Sequence, residues 1–589
     1  MKKIFILFLF AIAQAVFAYE DTLSVEETMG KIEGSRLDEL VEKYLAIILM
    51  YDPEKATEFG IHDGDDNLTE REYGNWDKYL SSLKLLIKDV ERIDKDVLNR
   101  YKRTEYDLLY SSIHKEIYDI EKMKILSTRP HYYLKPFDIV YFMMSKDYAN
   151  YNLRAQSAYK RFIKIPDILY QAERNLQKPP KIWTEYTIKR TQLLLDNISE
   201  YYTLFKNYIG LDPTLKAEFE NNINKIKDSL ERYKNYLEKN VLKKSTGKPQ
   251  VGLYTYGYYL EMWHKIYYNP RKALSTAKKI FKKEYKKLEE EAVKINSEEF
   301  NKKGIKGVYN FITGEHPKFD TLIKYVSDEI DNAKNHFDEY KVVRFPSQRL
   351  LIKNIPEFFN GVYPTVFYYP AYPLDRERVS ELYIFANEKY GEDLISYIYC
   401  QPKIEFYISE LIIPGLHTRN DYLKELPKIR RIISQPQIEG GWAIYSNDLA
   451  WEMGYYSTVY SRFLLSYLKA LKALRAYIDV AFHIEEISFE EGSQYFKEKF
   501  GFTDDAANLE MINISFNPTY YYAQIYGYTE LVKLRNKYVG EENKFFDMRE
   551  FHTDILTRGN IPFDDLKDEL KLIRKEKIKA RIEEETEEE

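Results

Sequence analysis

The residues whose types could do chemistry cluster in the second half of the chain. Glu410 precedes a Pro414-Gly415-Leu416-His417 turn, and Glu439 precedes a Gly440-Gly441-Trp442 segment further along. Carboxylate and imidazole side chains are ligands that a catalytic Zn²⁺ takes, and a further Glu can activate its bound water. A working site needs about three protein ligands, typically two His and a carboxylate. Because only His417 stands at a suitable histidine position, the spacing predicts an incomplete zinc site.

Helices must position these side chains, because helical periodicity dominates the rest of the chain. Apolar residues recur at three- and four-residue spacing in segments 37–48, 219–237 and 464–474. Strand signals are few, and the best are 361–369 and 382–387. The chain is therefore predicted to be mainly α-helical, with a small β element near the candidate site. Such a sheet could present backbone groups to an extended ligand, or it could be an ordinary core strand.

The N-terminus has the pattern of a secretory signal. Lys2 and Lys3 precede an apolar run over residues 4–13, and Val16-Phe17-Ala18 provides a small-residue cleavage site. The apolar run is too short to span a bilayer. We therefore expect residues 1–18 to be removed and the mature protein to be periplasmic or secreted, with no further membrane span.

Composition limits the partners and the domain organisation. The formal net charge of −5 gives no support to nucleic-acid binding. Cys400 is the only cysteine, which excludes an intramolecular disulfide and a cysteine-based zinc site. Residues 19–566 are predicted to form a single large helical domain, with two subdomains around a cleft as an option. Residues 567–589 are predicted to be a charged tail, and the oligomeric state is left open.

Several short motifs follow one another in an order that resembles a known family. They are Pro53-Glu54-Lys55-Ala56-Thr57 with Gly60, Pro414-Gly415-x-His417, Gly441-Trp442-Ala443-Ile444-Tyr445, Glu452-Met453-Gly454, Arg475 with Asp479 and His483, Pro518, Gly527, Leu534-Arg535, and the stretch 546–552. In this order they resemble the bacterial domain-of-unknown-function 885 family. The resemblance implies a large helical architecture of the zincin-like metallopeptidase type, with a cleft at the candidate site.

The resemblance also shows where the chain departs from the family's metal motif, His-Glu-x-x-Pro-Gly-His-His. Counting back from Pro414 puts the family's first His and Glu on Glu410 and Leu411. One inserted residue would put them on Ser409 and Glu410 instead. Either way the first histidine is missing, and only His417 remains of the later pair.

The family's carboxylate ligand and transition-state residues are replaced as well. Its Glu-Gly-Trp-Ala motif places the carboxylate at Gly440, and Glu439 could substitute only if the extra glycine bulges. Its downstream Arg, Gln and Tyr fall on Asn513, Tyr520 and Gln524. In zinc peptidases such a Tyr or Arg stabilises the oxyanion. By this alignment, ligands and transition-state stabilisers have been lost together.

The same alignment nominates the residues of the site. Glu410 is a candidate general base or carboxylate ligand, or else a polar residue near a helix end. His417 and Glu439 are candidate metal ligands, or else a hydrogen-bonded histidine and a helix-start carboxylate. The residues implied to line the cleft are Arg475, Asp479, His483, Tyr520 and Gln524. Because the first three lie at i, i+4 and i+8, an internal network in which the Asp holds its neighbours is the alternative.

Three functions remain open from the sequence. The first is an exported, metallopeptidase-like protein that has lost zinc catalysis, needs no cofactor, and binds a peptide or cell-envelope ligand in its cleft. The second is an active metal-dependent, carboxypeptidase-like hydrolase with a zinc site rebuilt from His417, Glu439 and His483, and Glu410 as its base. The third is a helical interaction protein whose partner surface lies elsewhere.

Overall fold

The computed structural model describes residues 25–210, 212–312, 316–359, 362–385, 397–542 and 546–588. Helices make up most of these residues, and the described strands form one small sheet. The predicted mainly α-helical class with a small β element is therefore confirmed. The predicted signal peptide lies outside the described residues.

The helices of the first part of the chain are α1 (Val25–Tyr51), α2 (Pro53–Phe59), α3 (Tyr73–Val90), α4 (Arg100–Glu121), α5 (Ile125–Thr128), α6 (Lys135–Ser145), α7 (Tyr151–Phe162), α8 (Ile165–Asn175), α9 (Lys181–Asp196), α10 (Ser199–Ile209), α11 (Pro213–Tyr236), α12 (Gly252–His264), α13 (Pro270–Phe311) and α14 (Leu322–Tyr340). Those of the second part are α15 (Gln401–Leu411), α16 (Leu416–Tyr422), α17 (Lys428–Ile432), α18 (Pro436–Glu452), α19 (Ser461–His483), α20 (Phe489–Phe500), α21 (Asp504–Phe516), α22 (Tyr520–Glu542), α23 (Met548–Leu556) and α24 (Phe563–Glu588).

The three segments of helical periodicity form α1, α11 and α19, as predicted. In each helix the periodic apolar residues form the buried face, for example Leu37 and Tyr44 in α1 and Leu230 in α11. Burial of this face supplies most of a helix's stability, since an isolated helix is marginal in water. The hydrophobic period is therefore the feature that fixes how these helices orient.

The sheet has the strand order β1 (Arg349–Asn354), β3 (Val379–Ile384), β2 (Val366–Tyr369). β1 is parallel to β3, and β2 is antiparallel to it. The two predicted strand segments overlap β2 and β3, although Gly361 and residues 386–387 lie outside the described residues. β1 was not predicted, because its sequence Arg-Leu-Leu-Ile-Lys-Asn shows no clear alternation.

The buried hydrophobic residues form three clusters, and strand β3 and helix α18 are among the elements that contribute to two of them. In strand β3, Leu382 belongs to the first cluster, which includes residues of α1, α3 and α4. The next residue, Tyr383, belongs to the second cluster, which includes residues of α6 to α11. Helix α18 places Trp442 in the first cluster and Ile444 in a third, built on α12, α13, α19 and α21. The candidate site is therefore carried by elements held on two sides by core packing.

The last helix continues past the predicted end of the helical domain. Position 566 lies inside α24, and Arg574 of the predicted tail is only 2% exposed. The Arg574 guanidinium donates to Asp554 of α23 at 2.8 Å. Within the described part of the chain, no helix combines the length and apolar composition that a bilayer crossing requires.

Candidate functional site

Glu410 lies in the last turn of α15, where it forms an ion pair with α19. The Lys472 ammonium donates to Glu410 Oε1 at 2.7 Å, and the two side chains are 17% and 13% exposed respectively. Beside this pair, the Ser409 hydroxyl donates to Asn447 Oδ1 at 2.9 Å. The carboxylate nominated as a general base is therefore held by a cation.

His417 is buried at the start of α16, next to strand β2. Its Nε2 donates to the Gln348 carbonyl, and its Nδ1 accepts from the Tyr368 hydroxyl, both at 3.2 Å. Burial lowers the pKa of His417 to about 4. The side chain is therefore a neutral imidazole with both ring nitrogens already hydrogen-bonded.

Glu439 acts on the first turn of its own helix, α18. Its two carboxylate oxygens accept from the Gln435 amide at 3.0 Å and from the Ser434 hydroxyl at 3.1 Å. A carboxylate at this position satisfies amides at the helix start and is favoured by the helix dipole. α18 continues without a bulge through the double glycine, so Glu439 does not take the position of Gly440.

The double glycine, Gly440-Gly441, allows α18 and α22 to cross in close contact. A Cβ atom on Gly441 would lie 2.8 Å from the Tyr528 backbone nitrogen of α22, and one on Gly440 would overlap the Gln524 side chain. A Cβ atom on Gly527 of α22 would overlap the Gln437 carbonyl oxygen of α18. The two backbones therefore touch, and Gln524 occupies the space that a side chain at position 440 would need.

Arg475 lies one turn after Lys472 in α19 and forms a second ion pair. Its guanidinium donates to both oxygens of Glu510 in α21, through Nε at 2.8 Å and Nη2 at 2.6 Å. This two-point geometry is the strong form of an arginine–carboxylate contact. The Arg475 side chain is 23% exposed, so part of it reaches solvent.

Asp479 and His483 are fully buried, so neither side chain is exposed to a ligand. The Asp479 carboxylate accepts the amides of Thr519 and Tyr522, both at 3.0 Å, and so caps α22. Burial raises the pKa of Asp479 to about 7. His483 Nε2 donates to the Ile514 carbonyl at 2.9 Å. The alternative network, with Asp479 holding both neighbours, does not form, because each finds its partner on α21 or α22.

Tyr520 is the accessible member of the predicted cleft residues, with 38% exposure at the first turn of α22. Desolvation, then the charge of Glu439, raises the pKa of Tyr520 to about 12. Gln524, one turn later, is 8% exposed and packs on Gly440. The starts of α18 and α22 therefore meet where Gln524 packs on Gly440.

The candidate metal ligands have separate partners. His417 bonds to β2 and to the segment before β1, Glu439 bonds to its own helix start, and His483 bonds to α21. Among the described residues, no group of three or more His, Cys, Asp or Glu side chains is arranged to hold a metal ion. Lys472 and Glu510 are the site residues that sequence reasoning missed, and only the position of Lys472, three residues before Arg475, could have indicated one of them.

A cavity of about 980 Å³ lies between α9 and α21. Tyr186 and Arg190 line it on one side, and Leu509 and Ile512 line it on the other. On the same helix, Glu510 faces Arg475. The volume is that of a small-molecule or short-peptide site, and α21 separates it from the ion pairs.

Buried histidines make the stability of this region depend on pH. Burial lowers the pKa values of His264, His483 and His552 to about 4. Because the unfolded chain takes up protons on these histidines near pH 6.5, their contribution to stability is complete above that pH and is lost as the pH falls towards 4.

The substitution His483→Gln tests this pH dependence, since the glutamine amide can still donate to the Ile514 carbonyl. Between pH 7.5 and pH 5, we expect the free energy of unfolding of the variant to fall by about 2 kcal/mol less than that of the unmodified protein. Urea unfolding at both pH values measures this, and equal losses in the two proteins would contradict it.

Comparison with known proteins places this fold among bacterial proteins. A family model described as "Bacterial protein of unknown function (DUF885)" matches residues 53–570. A solved structure of a proposed lipoprotein of unknown function from Shewanella oneidensis is similar, with a TM-score of 0.71 and 18% identity, covering 90% of this chain and 99% of that chain. A proposed lipoprotein from Colwellia psychrerythraea has a TM-score of 0.72 and 15% identity, covering 91% and 98%. Among curated proteins, none matches. At these identities the two structures show a shared fold alone.

Proposed function

We propose a function from the premise that this chain belongs to the DUF885 family of bacterial proteins of unknown function. The protein is an exported, metallopeptidase-like binding protein that does not hydrolyse peptides by a zinc mechanism. Its ligand is a peptide or a cell-envelope component, held in the cavity between α9 and α21. The protein is thus a pseudopeptidase, in which the architecture of a peptidase site serves ligand binding and not hydrolysis.

The ion pair between Lys472 and Glu410 carries this proposal. A general base must present a free carboxylate to the water that it activates. Here the ammonium lies 2.7 Å from the Glu410 oxygen in a half-buried setting, where two unit charges attract more strongly than in water. The ammonium is hydrogen-bonded to one of the two carboxylate oxygens, so Glu410 does not present a free carboxylate to a water molecule.

The surroundings of His417 support the same conclusion. A metal ligand needs a free lone pair on one ring nitrogen. In His417 that lone pair accepts from the Tyr368 hydroxyl, and the other nitrogen donates to the Gln348 carbonyl. These bonds hold α16 to β2 and to the residue before β1, so recruiting His417 to a metal would break a buried contact.

The cavity between α9 and α21 has features that suit ligand binding. The cavity between α9 and α21 has mostly apolar lining with a few charged groups, the usual composition of a ligand pocket. Outside this cavity, the side chains of Tyr520 and Arg475 are partly exposed and could contact a ligand. Export is supported by the signal pattern of residues 1–18, and both similar structures are described as proposed lipoproteins.

Zinc analysis of the purified mature protein tests the proposal. After loading with zinc and dialysis, we expect far less than one zinc ion per chain and no chelator-sensitive cleavage of a peptide library followed by mass spectrometry. Lys472→Met, which frees the Glu410 carboxylate, should remain inactive because the ligands do not converge. Lys533→Met, which removes an exposed lysine from α22, is the matched control.

The opposite result would favour the rebuilt hydrolase. That result is stoichiometric zinc, removed by a chelator together with peptidase activity, and lost in His417→Ala and Glu439→Gln. A protein that binds zinc and cleaves peptides would therefore refute the proposal directly.

A further inference from the structure

The cavity between α9 and α21 has a mostly apolar lining. Ile182 and Leu193 line it from α9, and Leu509 and Ile512 line it from α21. Phe489, at the start of α20, also lines it. Its volume of about 980 Å³ is at the upper end of the range for small-molecule sites. Burial of apolar ligand groups against this lining would therefore be a main source of binding free energy.

Direct contacts fix the two helices of the cavity to each other. The Trp183 indole of α9 donates to the Ser515 hydroxyl of α21 at 2.8 Å, and both side chains are buried. The Phe516 ring lies 5.5 Å from the ring of Trp183 and 5.5 Å from that of Tyr186, which itself lines the cavity. These contacts hold the walls in place without a ligand, so binding would require little ordering of the protein.

One residue of the lining is a buried arginine with an unused hydrogen-bond donor. Arg190 lines the cavity, is 9% exposed, and donates through Nη2 to the Asp138 carboxylate of α6. Its Nε is buried and has no hydrogen-bond partner among the described residues. Such a donor costs free energy unless a ligand satisfies it. Because Asp138 already balances the charge of Arg190, a neutral carbonyl group fits this donor better than a second carboxylate does.

The solvent-accessible part of the lining is mainly acidic. Among the described residues, Glu185, Glu238 and Asp505 line the cavity, against Lys189 as the exposed basic residue. Glu185 and Glu238 each lie 3.7 Å from the ammonium of a lysine four residues earlier, which is beyond hydrogen-bond distance. Within the described part of the chain, Asp505 forms no ion pair. The accessible part of the cavity therefore favours a positive group on the ligand and disfavours a negative one.

We infer that this cavity binds the amino-terminal end of an apolar peptide. The peptide's ammonium would lie near Glu185, Glu238 and Asp505, and its apolar side chains would pack against the lining. A backbone carbonyl would accept from Arg190 Nε. A fatty acid would bring a negative charge to the acidic part of the cavity, and an alkyl amine would offer no carbonyl to Arg190. The inference rests on the proposed function and specifies the ligand class of that cavity.

Matched tripeptide pools test the inference. One pool is built from Leu, Ile, Val and Phe with a free amino terminus, another contains the same peptides with an acetylated amino terminus, and a polar pool is built from Ser, Thr, Asn and Gln with a free amino terminus. All peptides carry a C-terminal amide, and retention on the immobilised mature protein is quantified by mass spectrometry. We expect the free apolar pool to bind at least about 10-fold more tightly than the polar pool. Acetylation should weaken binding by about fivefold, as for the loss of an exposed charge pair.

Two substitutions in the lining, each with a matched control, assign the binding to this cavity. Ala506→Phe fills the cavity from an exposed position, so it should abolish retention of the apolar pool and leave the thermal unfolding midpoint unchanged. Ala46→Phe adds the same ring at an exposed position of α1 and should preserve retention. Asp505→Asn should reduce the preference for a free amino terminus by about twofold. Asp504→Asn removes the neighbouring carboxylate of the same first turn, which is 82% exposed and outside the lining, and should preserve the preference.

A further substitution tests the carbonyl contact. Arg190→Lys keeps a positive charge beside Asp138 but lacks the Nε donor, so it should weaken binding of the free and acetylated apolar pools equally, by about 10-fold.

Several results would overturn the inference. They are equal retention of the apolar and polar pools, no retention of any pool, tighter binding of the acetylated peptides, and unchanged binding in Ala506→Phe. Displacement of the peptides by dodecylamine or laurate at a lower concentration than by the peptides themselves would overturn it in favour of a lipid ligand. Zinc-dependent cleavage would refute the proposed function, whereas equal retention of the apolar and polar pools would refute only the apolar peptide as the ligand.

Discussion

Replacing Glu54 by Gln is expected to destabilise the protein by about 3–5 kcal/mol, because it leaves a buried arginine without a counter-charge. The Glu54 and Arg71 side chains are both fully buried. The Arg71 guanidinium donates to the two Glu54 oxygens at 3.0 and 2.9 Å, and the Thr69 amide donates to the same carboxylate at 3.1 Å. Glutamine keeps the shape of the side chain but removes the charge and one of the acceptors. Urea unfolding at pH 7 measures the change.

An exposed pair provides the matched control for this prediction. Glu72 pairs with Arg174, and the two side chains are 40% and 52% exposed respectively. Solvent screens such a pair, so Glu72→Gln is expected to change stability by about 0–1 kcal/mol. If Glu54→Gln were as mild as Glu72→Gln, the buried pair would not hold α2 to the segment that follows it.

Gly527→Ala is expected to destabilise the protein by about 3 kcal/mol, at the upper end of the usual range for overpacking. The added methyl group would overlap the Gln437 carbonyl oxygen, which belongs to the backbone of α18 and cannot rotate away. α18 and α22 would have to separate, and this movement would shift Gln524 and Tyr520 at the site. Thermal and urea unfolding measure the loss.

A second glycine of α22 gives a control with the opposite expected sign. A Cβ atom at Gly540 would meet nothing within 4 Å. Alanine in a helix is favoured over glycine, so Gly540→Ala should stabilise the protein by about 0.5–1 kcal/mol. Destabilisation of similar size by both substitutions would show that the close crossing at Gly527 is not the cause of the loss.

The order of motifs identified the family but left the roles of individual residues unassigned. Trp442 and the glycines beside it are recognisable by type, and the structure shows what they do. Trp442 donates to the Pro414 carbonyl at 2.9 Å, and Gly441 allows the contact with α22. The predicted cleft residues separate into two groups, with Arg475 and Tyr520 at the surface and Asp479 buried below them. Sequence spacing placed Arg475 and Asp479 on one helix face, but it could not show how deeply each is buried.

The sequence by itself determined the helices and the family, because hydrophobic period and motif order are local properties of the chain. Only the tertiary structure decided which charges meet. Lys472 reaches Glu410 across 62 residues of sequence, and Arg475 reaches Glu510 across 35. It also decided that Arg430 receives two carboxylates while Arg431 receives none. Such pairings depend on how helices that are distant in sequence pack together, and no local pattern records them.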